Sequence, residues 1–202
     1  MKLVLKIILL TLLNFNTASI FAQDDEWKLK KDDDGIIVYS RKDKISGNIE
    51  FKATSIYKTS VGALLKVFYD IEGYTRWMAD VKVSKVLKKV DSTEHYLYME
   101  TEVPWPLKNR DITFYQNIIR TGRSVKITLE GKPNYIAHKE GIIRIEYAKG
   151  YWEFIPLPNN KVKVIYQLGA DPGLNIPDWI LNLFIVDGPF ETLRNLKGLV
   201  EP

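Results

Sequence analysis

Residues 104–111, with the sequence Pro-Trp-Pro-Leu-Lys-Asn-Arg-Asp, form the most informative stretch of this chain. They lie between two runs of strand-like alternation, residues 94–103 and 112–120. The two prolines have no backbone N–H to donate within a sheet, so they end the first strand and stiffen the turn. A plain two-residue hairpin would use Asn-Gly or Asp-Gly instead. The longer corner therefore predicts fixed positions for Trp105 and for an adjacent pair of opposite charges.

Turn signals on both sides of this corner divide the chain into strands. The predicted strands of the second half cover residues 81–90, 94–103, 112–120, 124–131, 142–156 and 161–168. Gly150 interrupts the fifth of these and predicts a bulge or bend. Nearer the amino terminus we predict a short helix at residues 24–31 and two strands at residues 36–41 and 48–57.

Helical periodicity follows the second strand and returns at the end of the chain. Ser60 begins a helix that ends at Asp70, and residues 72–79 are predicted as a second short helix. The last helix begins at Pro177, has a broad apolar face, and must kink or break at Gly188-Pro189. This order predicts an α+β helix-grip fold, in which a curved antiparallel sheet wraps around a long C-terminal helix. Such an arrangement commonly leaves a cavity for apolar ligands.

Residues 1–22 have the features of a secretory signal peptide. They begin with two lysines, continue with a short apolar run and end in small residues, which predicts cleavage before Gln23. An uncleaved membrane anchor is the alternative. The chain has no cysteine, so no lipidated cysteine tethers it and no disulfide stabilises it. We therefore expect a periplasmic or secreted protein whose residues 23–202 form one domain.

The composition indicates a globular domain and gives no sign of a nucleic-acid partner. Hydrophobic residues make up 46% of the chain and aromatic residues 12%, which is enough for a sizeable core. Without the two lysines of the leader, the formal charge of +4 falls to 27 basic against 25 acidic residues. This excess is too small and too scattered to indicate nucleic-acid binding. We expect a monomer that makes transient contact with membranes.

The sequence contains none of the familiar enzyme motifs. It has no Gly-rich phosphate loop, no Gly-x-Ser-x-Gly and no cysteine nucleophile. Its two histidines, His95 and His138, are far apart, and neither belongs to a cluster with metal-ligand spacing. We expect each of them to be a surface group or a hydrogen-bonded one.

Four segments, in order along the chain, carry a family resemblance. They are residues 70–77 with Tyr74 and Trp77, the corner at 104–111, Gly150-Tyr151-Trp152 with Pro156, and residues 171–179. Together they resemble START-type lipid-transfer domains, over roughly residues 27 to 199. Leu174 departs from the pattern, because a second glycine is usual there.

The resemblance implies a pocket for a lipid, a sterol or another apolar small molecule. It also implies no cofactor and no catalysis. Some relatives with a helix-grip fold are cyclases or aromatases, so a small cyclase- or hydrolase-like enzyme stays open as an alternative. A module that binds partners in the cell envelope is a third possibility.

Strand alternation assigns side chains to the two faces of the sheet. Leu97 and Met99 belong to an apolar set that we predict points inward, whereas Glu100 and Glu102 belong to the face predicted to be in water. Arg144 is predicted to be exposed. The alternative is an inward Arg144 that pairs with a carboxylate and binds a lipid head group, because a buried charge needs a partner.

The corner and the last helix complete the set of candidate residues. Arg110 and Asp111 are predicted to pair with each other and to stabilise the corner. Trp105 and Trp152 are predicted to line the cavity or its rim, and the last helix to cover it as a lid that bends at its Gly-Pro step. We assign no catalytic residue and no metal ligand. The candidate ligand-binding residues are Leu97, Met99, Trp105, Arg110, Arg144, Trp152, Trp179, Leu183 and Phe184.

Overall fold

A ten-stranded sheet forms most of the structure, which in this computed structural model describes residues 27–42, 47–171 and 176–201. Along the main path, the order is β1-β2-β3-β10-β9-β7-β6-β5-β4, and all neighbours are antiparallel. The short β8 lies off this path and pairs in parallel with β6. The strands are β1 (Lys28–Asp33), β2 (Ile36–Lys42), β3 (Ile49–Tyr57), β4 (Val81–Lys89), β5 (Glu94–Thr101), β6 (Arg110–Thr121), β7 (Ser124–Gly131), β8 (Ile143–Arg144), β9 (Ala148–Leu157) and β10 (Lys161–Ala170).

Two short helices follow β3, and a long helical region ends the chain. Helix α1 (Val61–Tyr69) begins after Ser60, whose side chain accepts a hydrogen bond from the N–H of Ala63 at 3.1 Å. A 3-10 helix (Ile71–Arg76) comes next. The final region consists of α2 (Asp178–Asn182), a π-helical turn (Leu183–Asp187) and α3 (Gly188–Val200). The predicted α+β architecture of curved sheet and C-terminal helix is therefore confirmed. The predicted leader lies outside the described residues.

Lys28–Asp33 form strand β1 and not the predicted helix. The strand pairs with β2 at the edge of the sheet, with an irregularity between Leu29 and Lys31. A short helix of mostly charged residues has little to stabilise it, because helix nucleation is costly and few of its side chains find apolar partners. Pairing with β2 supplies the backbone hydrogen bonds instead.

Gly150 does not mark a bulge, which corrects the prediction made from the sequence. The register between β9 and β10 runs without interruption through this residue. Position 150 requires a glycine for another reason, because a Cβ there would lie 2.2 Å from the carbonyl oxygen of Gln167 on the neighbouring strand. The break in the predicted strand falls earlier, between β8 and β9.

The helical backbone continues through Gly188-Pro189 and does not break there. The proline has no N–H, so it removes one helical hydrogen bond from the turn that precedes it. The chain accommodates this with the π-helical turn, in which the N–H of Gly188 donates to the carbonyl of Leu183, five residues back. A Cβ at Gly188 would lie 2.8 Å from that carbonyl oxygen, so the wider turn also requires a glycine.

The core lies between the concave face of the sheet and the helices. Its centre is a group of aromatic rings in which Phe68 lies 5.0 Å from Trp152 and 5.1 Å from Phe154, centroid to centroid. Helix α3 is fixed to this core near its middle, where the hydroxyl of Tyr57 donates to the carbonyl of Leu193 at 2.7 Å. No helix in the described part of the chain is long and apolar enough to cross a membrane.

Candidate functional site

An apolar pocket of about 150 Å³ lies between the sheet and the final helical region. The start of β3 and the ends of β5 and β10 line it, so it lies toward one end of the sheet. The helical side is formed by α2, the π-helical turn and the beginning of α3. From the sheet come Ile49, Phe51, Met99, Ile112, Phe114 and Leu168; from the helical region come Leu181, Leu183, Phe184, Ile185, Pro189 and Thr192.

The lining of this pocket carries almost no charge. Among the described residues that line it, Asp80 is the single carboxylate, and none is a lysine, arginine or histidine. Burial, reinforced by the nearby Glu102, raises the pKa of Asp80. An anionic group placed in the pocket would thus find no cationic partner among the described lining residues, whereas an uncharged apolar molecule would contact mostly apolar side chains.

A second, smaller cavity of about 20 Å³ lies deeper in the core. Four side chains line both cavities and so separate them: Met78, Met99, Phe114 and Tyr166. The deeper cavity is otherwise enclosed by Phe68, Tyr74, Leu97, Gln116, Leu129 and Trp152. It is therefore an inner extension of the same apolar region, closed off by pliable methionines and two rings.

Five of the nine candidate residues line one or both of these cavities. Met99, Leu183 and Phe184 line the larger pocket. Leu97, Met99 and Trp152 line the deeper one. The structure thus brings the inward face of β5 and the last helix together, as strand alternation and helical periodicity indicated. Their role toward a ligand stays a prediction.

The two other tryptophans among the nine candidate residues are on the surface. Trp105 is 90% exposed and Trp179 is 55% exposed, and neither is among the lining residues. Both belong to segments next to the pocket: Trp105 follows the end of β5, where Thr101 lines the pocket, and Trp179 belongs to α2, which contributes Leu181. The sequence shows that Trp105 is a large apolar residue between two strands, but it does not show whether the side chain points into the pocket or into solvent.

Arg144 is buried, which corrects its predicted exposure. Its Nε donates to Oδ1 of Asp111 at 2.7 Å and its Nη2 to Oδ2 at 3.0 Å. It also donates to backbone carbonyls of the segment before β8, including that of Ile136 at 3.3 Å. It does not line the pocket. Pairing with a carboxylate was part of the alternative prediction for Arg144, but no local periodicity could identify Asp111, 33 residues away along the chain, as the partner.

Asp111 therefore pairs with Arg144 and not, as predicted, with the adjacent Arg110. Arg110 and Asp111 are consecutive in β6, so their side chains point to opposite faces of the sheet. The Arg110 side chain instead donates to the carbonyl of Lys108, inside the corner. Burial lowers the pKa of Arg110. Its predicted structural role at the corner agrees with that contact, and it does not line the pocket.

Glu100 is buried too, although the alternation of β5 predicts it in water. It is 9% exposed and accepts a hydrogen bond from Nδ2 of Asn109 at 2.9 Å. The segment between β7 and β8 covers this face: Lys139 lies over the Tyr98 ring and 3.9 Å from Glu100. A covering segment from elsewhere in the chain thus turns an outward face into an interior one.

His95 is buried, and its Nδ1 has no hydrogen-bond partner among the described residues. The prediction of a surface or hydrogen-bonded group is wrong for this histidine, whereas His138 is exposed as expected. Burial, with a contribution from Lys89, lowers the pKa of His95. In the described part of the chain, no group of three or more His, Asp or Glu side chains is placed to hold a metal ion.

The comparisons with known proteins agree with this architecture. The family model of the START domain matches residues 10–199. The Pseudomonas aeruginosa protein PA1579 is 30% identical over 178 residues, which are 88% of this chain and 88% of that protein. The rat phosphatidylcholine transfer protein is 25% identical over 181 residues, 85% of this chain and 82% of that one.

A solved structure gives the same result. The STAR-related lipid transfer protein of Xanthomonas axonopodis superimposes with a TM-score of 0.78 at 36% sequence identity, covering 86% of this chain and 98% of that chain. The match of the family model extends over nearly the whole sequence. The strands and the final helix follow one another along the chain in the order that the sequence predicted, with the pocket between them. This chain belongs to the START domain family.

Proposed function

We propose that this chain binds an uncharged lipid in its apolar pocket and transfers it between membranes. The observation that carries the proposal is the pocket itself, which lies between sheet and final helix and is lined almost wholly by apolar side chains. Membership in the START domain family and similarity to lipid-transfer proteins support lipid as the general class of ligand.

The absence of cationic lining residues favours a neutral lipid over a phospholipid. A phosphate group taken into this pocket would lose its water and gain no positive partner among the described lining residues, which is costly. Arg144, the most obvious candidate for such a partner, is already bound to Asp111 outside the pocket. A sterol, a diacylglycerol or a fatty alcohol has no such requirement.

Ligand uptake requires the pocket to enlarge. Ligand pockets of about 300–1,000 Å³ are usual for molecules of drug size, and the present volume is about 150 Å³. The final helical region forms one wall. Helix α3 is packed into the core through Phe190, Leu193 and Leu196, whereas most side chains of α2 and the π-helical turn are partly exposed. We propose that α2 and the π-helical turn move outward to admit the lipid.

The two exposed tryptophans suit a transient contact with a membrane. Trp105 and Trp179 lie on segments next to the pocket, and tryptophan is favoured at the boundary between lipid and water. Contact through these residues would bring the movable wall of the pocket against the bilayer from which a lipid is taken.

Transfer between vesicles tests the proposal directly. Protein freed of bound lipid is mixed with donor vesicles that contain dehydroergosterol, an uncharged fluorescent sterol, and with unlabelled acceptor vesicles. Pyrene-labelled phosphatidylcholine in identical vesicles is the matched probe. We expect accelerated transfer of the sterol and little of the phospholipid. No acceleration of either would refute lipid transfer, and preferential transfer of phosphatidylcholine would refute the neutral class.

The same experiment separates binding from catalysis. We propose no chemical step, so mass spectrometry should recover the dehydroergosterol unchanged after many transfer cycles. A cyclase- or hydrolase-like enzyme on this fold would act through an acid-base group in the pocket, and Asp80 is the carboxylate that lines it. Conversion of a neutral lipid by the native chain, lost in Asp80→Asn, would support the enzymatic alternative.

A further inference from the structure

The deeper cavity contains polar groups that the fold leaves without partners. Gln116 and Trp152 both line it, and Nε2 of Gln116 and Nε1 of Trp152 are buried without a hydrogen-bond partner among the described residues. Buried N–H groups are nearly always paired in native proteins, so two unpaired donors around one small cavity require an explanation.

Neighbouring side chains hold both of these groups in place. The hydroxyl of Tyr74 donates to the carbonyl of Phe68 at 2.8 Å and lies 3.4 Å from Oε1 of Gln116, so the Gln116 amide is held against Tyr74 while its Nε2 has no partner among the described residues. The ring of Trp152 is stacked on Tyr166, with 3.8 Å between centroids, which fixes the indole in place. The two donors are therefore held by neighbouring side chains and do not depend on a ligand for their positions.

The cavity is connected to the larger pocket through adaptable side chains. Met78 and Met99 contribute to both cavities, and methionine changes its shape at low cost because its side chain is unbranched and has three rotatable bonds. An elongated lipid in the larger pocket can thus extend its end between the two methionines. The inner volume of about 20 Å³ holds a group of the size of one oxygen atom.

The lining also restricts the charge of that group. No lysine, arginine, histidine, aspartate or glutamate is among the described residues around the deeper cavity. A carboxylate or phosphate would be buried there without a countercharge, whereas an alcohol, ketone or ester oxygen needs only hydrogen-bond donors.

We propose that Gln116 and Trp152 form an oxygen-binding subsite for the buried end of a neutral lipid. The lipid lies with its oxygen in the deeper cavity and its hydrocarbon part in the larger pocket. This inference rests on the proposed function and narrows its ligand to neutral lipids with a terminal or near-terminal oxygen. The buried oxygen accepts hydrogen bonds from these two donors. Without it, either a water molecule would have to accept those hydrogen bonds or the donors would remain unpaired beside hydrocarbon.

A matched pair of probes tests the subsite. We choose 1-dodecanol and 1-chlorododecane, which have the same chain and similar size but differ in that chlorine is a poor hydrogen-bond acceptor. Each is delivered from cyclodextrin and competes with bound dehydroergosterol. We expect the alcohol to bind about tenfold more tightly, the equivalent of one or two ordinary hydrogen bonds.

Gln116→Met removes the amide donor at nearly constant volume and should reduce that preference to below about threefold, with the affinity for 1-chlorododecane retained. Asn117→Met is the control, because residue 117 follows in the same strand and faces the other side of the sheet. Equal affinities of the wild-type protein for the two probes would overturn the subsite. Retention of the full preference in Gln116→Met would overturn it as well.

Nitrogen-15 NMR of the wild-type protein provides evidence that does not depend on a variant. Addition of 1-dodecanol should shift the resonances of the Trp152 indole N–H and the Gln116 amide, and 1-chlorododecane should shift them much less. If 1-dodecanol binds but these resonances do not shift, the deeper cavity holds only water and the proposed subsite is wrong. If neither linear probe displaces dehydroergosterol, the subsite is wrong and the proposed function stands; if dehydroergosterol itself does not bind, both fail.

Discussion

Arg144 holds Asp111 through two parallel hydrogen bonds, with its Nε 2.7 Å from Oδ1 and its Nη2 3.0 Å from Oδ2. Both side chains are 1% exposed. The same guanidinium also donates to the carbonyls of Pro133, Ile136 and Ala137. One side chain thus joins β6 to the segment that covers the outer face of β5 and β6, and this arrangement is a structural cross-link that does not line the lipid pocket.

Loss of one partner of this pair should destabilise the protein strongly. Arg144→Met leaves the carboxylate of Asp111 buried without its countercharge, so we expect the free energy of unfolding to fall by about 3–5 kcal/mol. Urea denaturation measures the change. Lys82→Ala is the control, because Lys82 and Glu102 form an exposed pair that should contribute less than about 1 kcal/mol. A similarly small loss for Arg144→Met would contradict the structural role.

Asp80 should make the protein less stable as the pH rises above the ordinary pKa of a carboxyl group. Burial and Glu102 raise its pKa in the folded protein, so its contribution to stability is complete below the unfolded pKa of about 3.9 and is lost as pH rises through the folded value. Asp80→Asn should therefore raise the melting temperature at pH 7, and the gain should shrink toward pH 3.

The backbone at residue 80 permits this substitution. Asp80 has a φ of +59°, and asparagine is among the residues that tolerate this region best. Glu102→Gln is the matched control, since it removes the repulsion but leaves the desolvation of Asp80 in place. A gain for Asp80→Asn that is equal at pH 3 and pH 7 would show that ionisation is not its cause.

The final helical region should respond to ligand more than the sheet does. Bound dehydroergosterol should slow amide hydrogen exchange in residues 179–190, which include the π-helical turn on the pocket wall, and leave the strands nearly unchanged. Identical exchange of this region with and without the sterol, combined with protection elsewhere, would contradict a moving lid.

Phe184→Ala should weaken sterol binding several-fold, because the ring lines the pocket and its loss removes apolar contact. Leu199→Ala is the control on the same helical region, since Leu199 is 52% exposed and does not line the pocket. Fluorescence titration with dehydroergosterol measures both variants. Equal losses of affinity in the two would indicate a general effect on the helix.

Membrane contact should depend on the tryptophans next to the pocket. The double variant Trp105→Ala and Trp179→Ala should reduce sedimentation with vesicles of zwitterionic phosphatidylcholine and slow sterol transfer, because two interfacial side chains are lost. Tyr69→Ala is the control, since this exposed aromatic residue ends α1 at the other end of the sheet. Undiminished sedimentation of the double variant would contradict the proposed contact.

Export should remove residues 1–22 and leave Gln23 as the first residue of the mature protein. The basic start, the short apolar run and the small residues before Gln23 are the features recognised in secretory leaders. Amino-terminal sequencing of the protein from a periplasmic fraction, or from the medium, measures the cleavage site. Recovery of the full-length chain with the membrane fraction would favour the alternative of an uncleaved anchor.

Local chemistry in the sequence was sufficient for the architecture. Prolines end strands because they lack an N–H, alternation marks half-buried strands, and a broad apolar stripe marks a helix that packs on a sheet. The order of strands and helices on both sides of residues 104–111 therefore predicted the helix-grip fold, and the inward set of β5 predicted the lining positions of Leu97 and Met99. These features depend on neighbours within a few residues along the chain.

Long-range packing decided the rest. Arg144 and Glu100 are interior because the segment between β7 and β8 covers their face, and Lys28–Asp33 form a strand because β2 offers an edge to pair with. Whether Trp105 lies inside or outside the pocket likewise depends on which segment packs against the corner. The free energy of a buried charge or ring is determined by partners that are distant in sequence, and local periodicity contains no information about them.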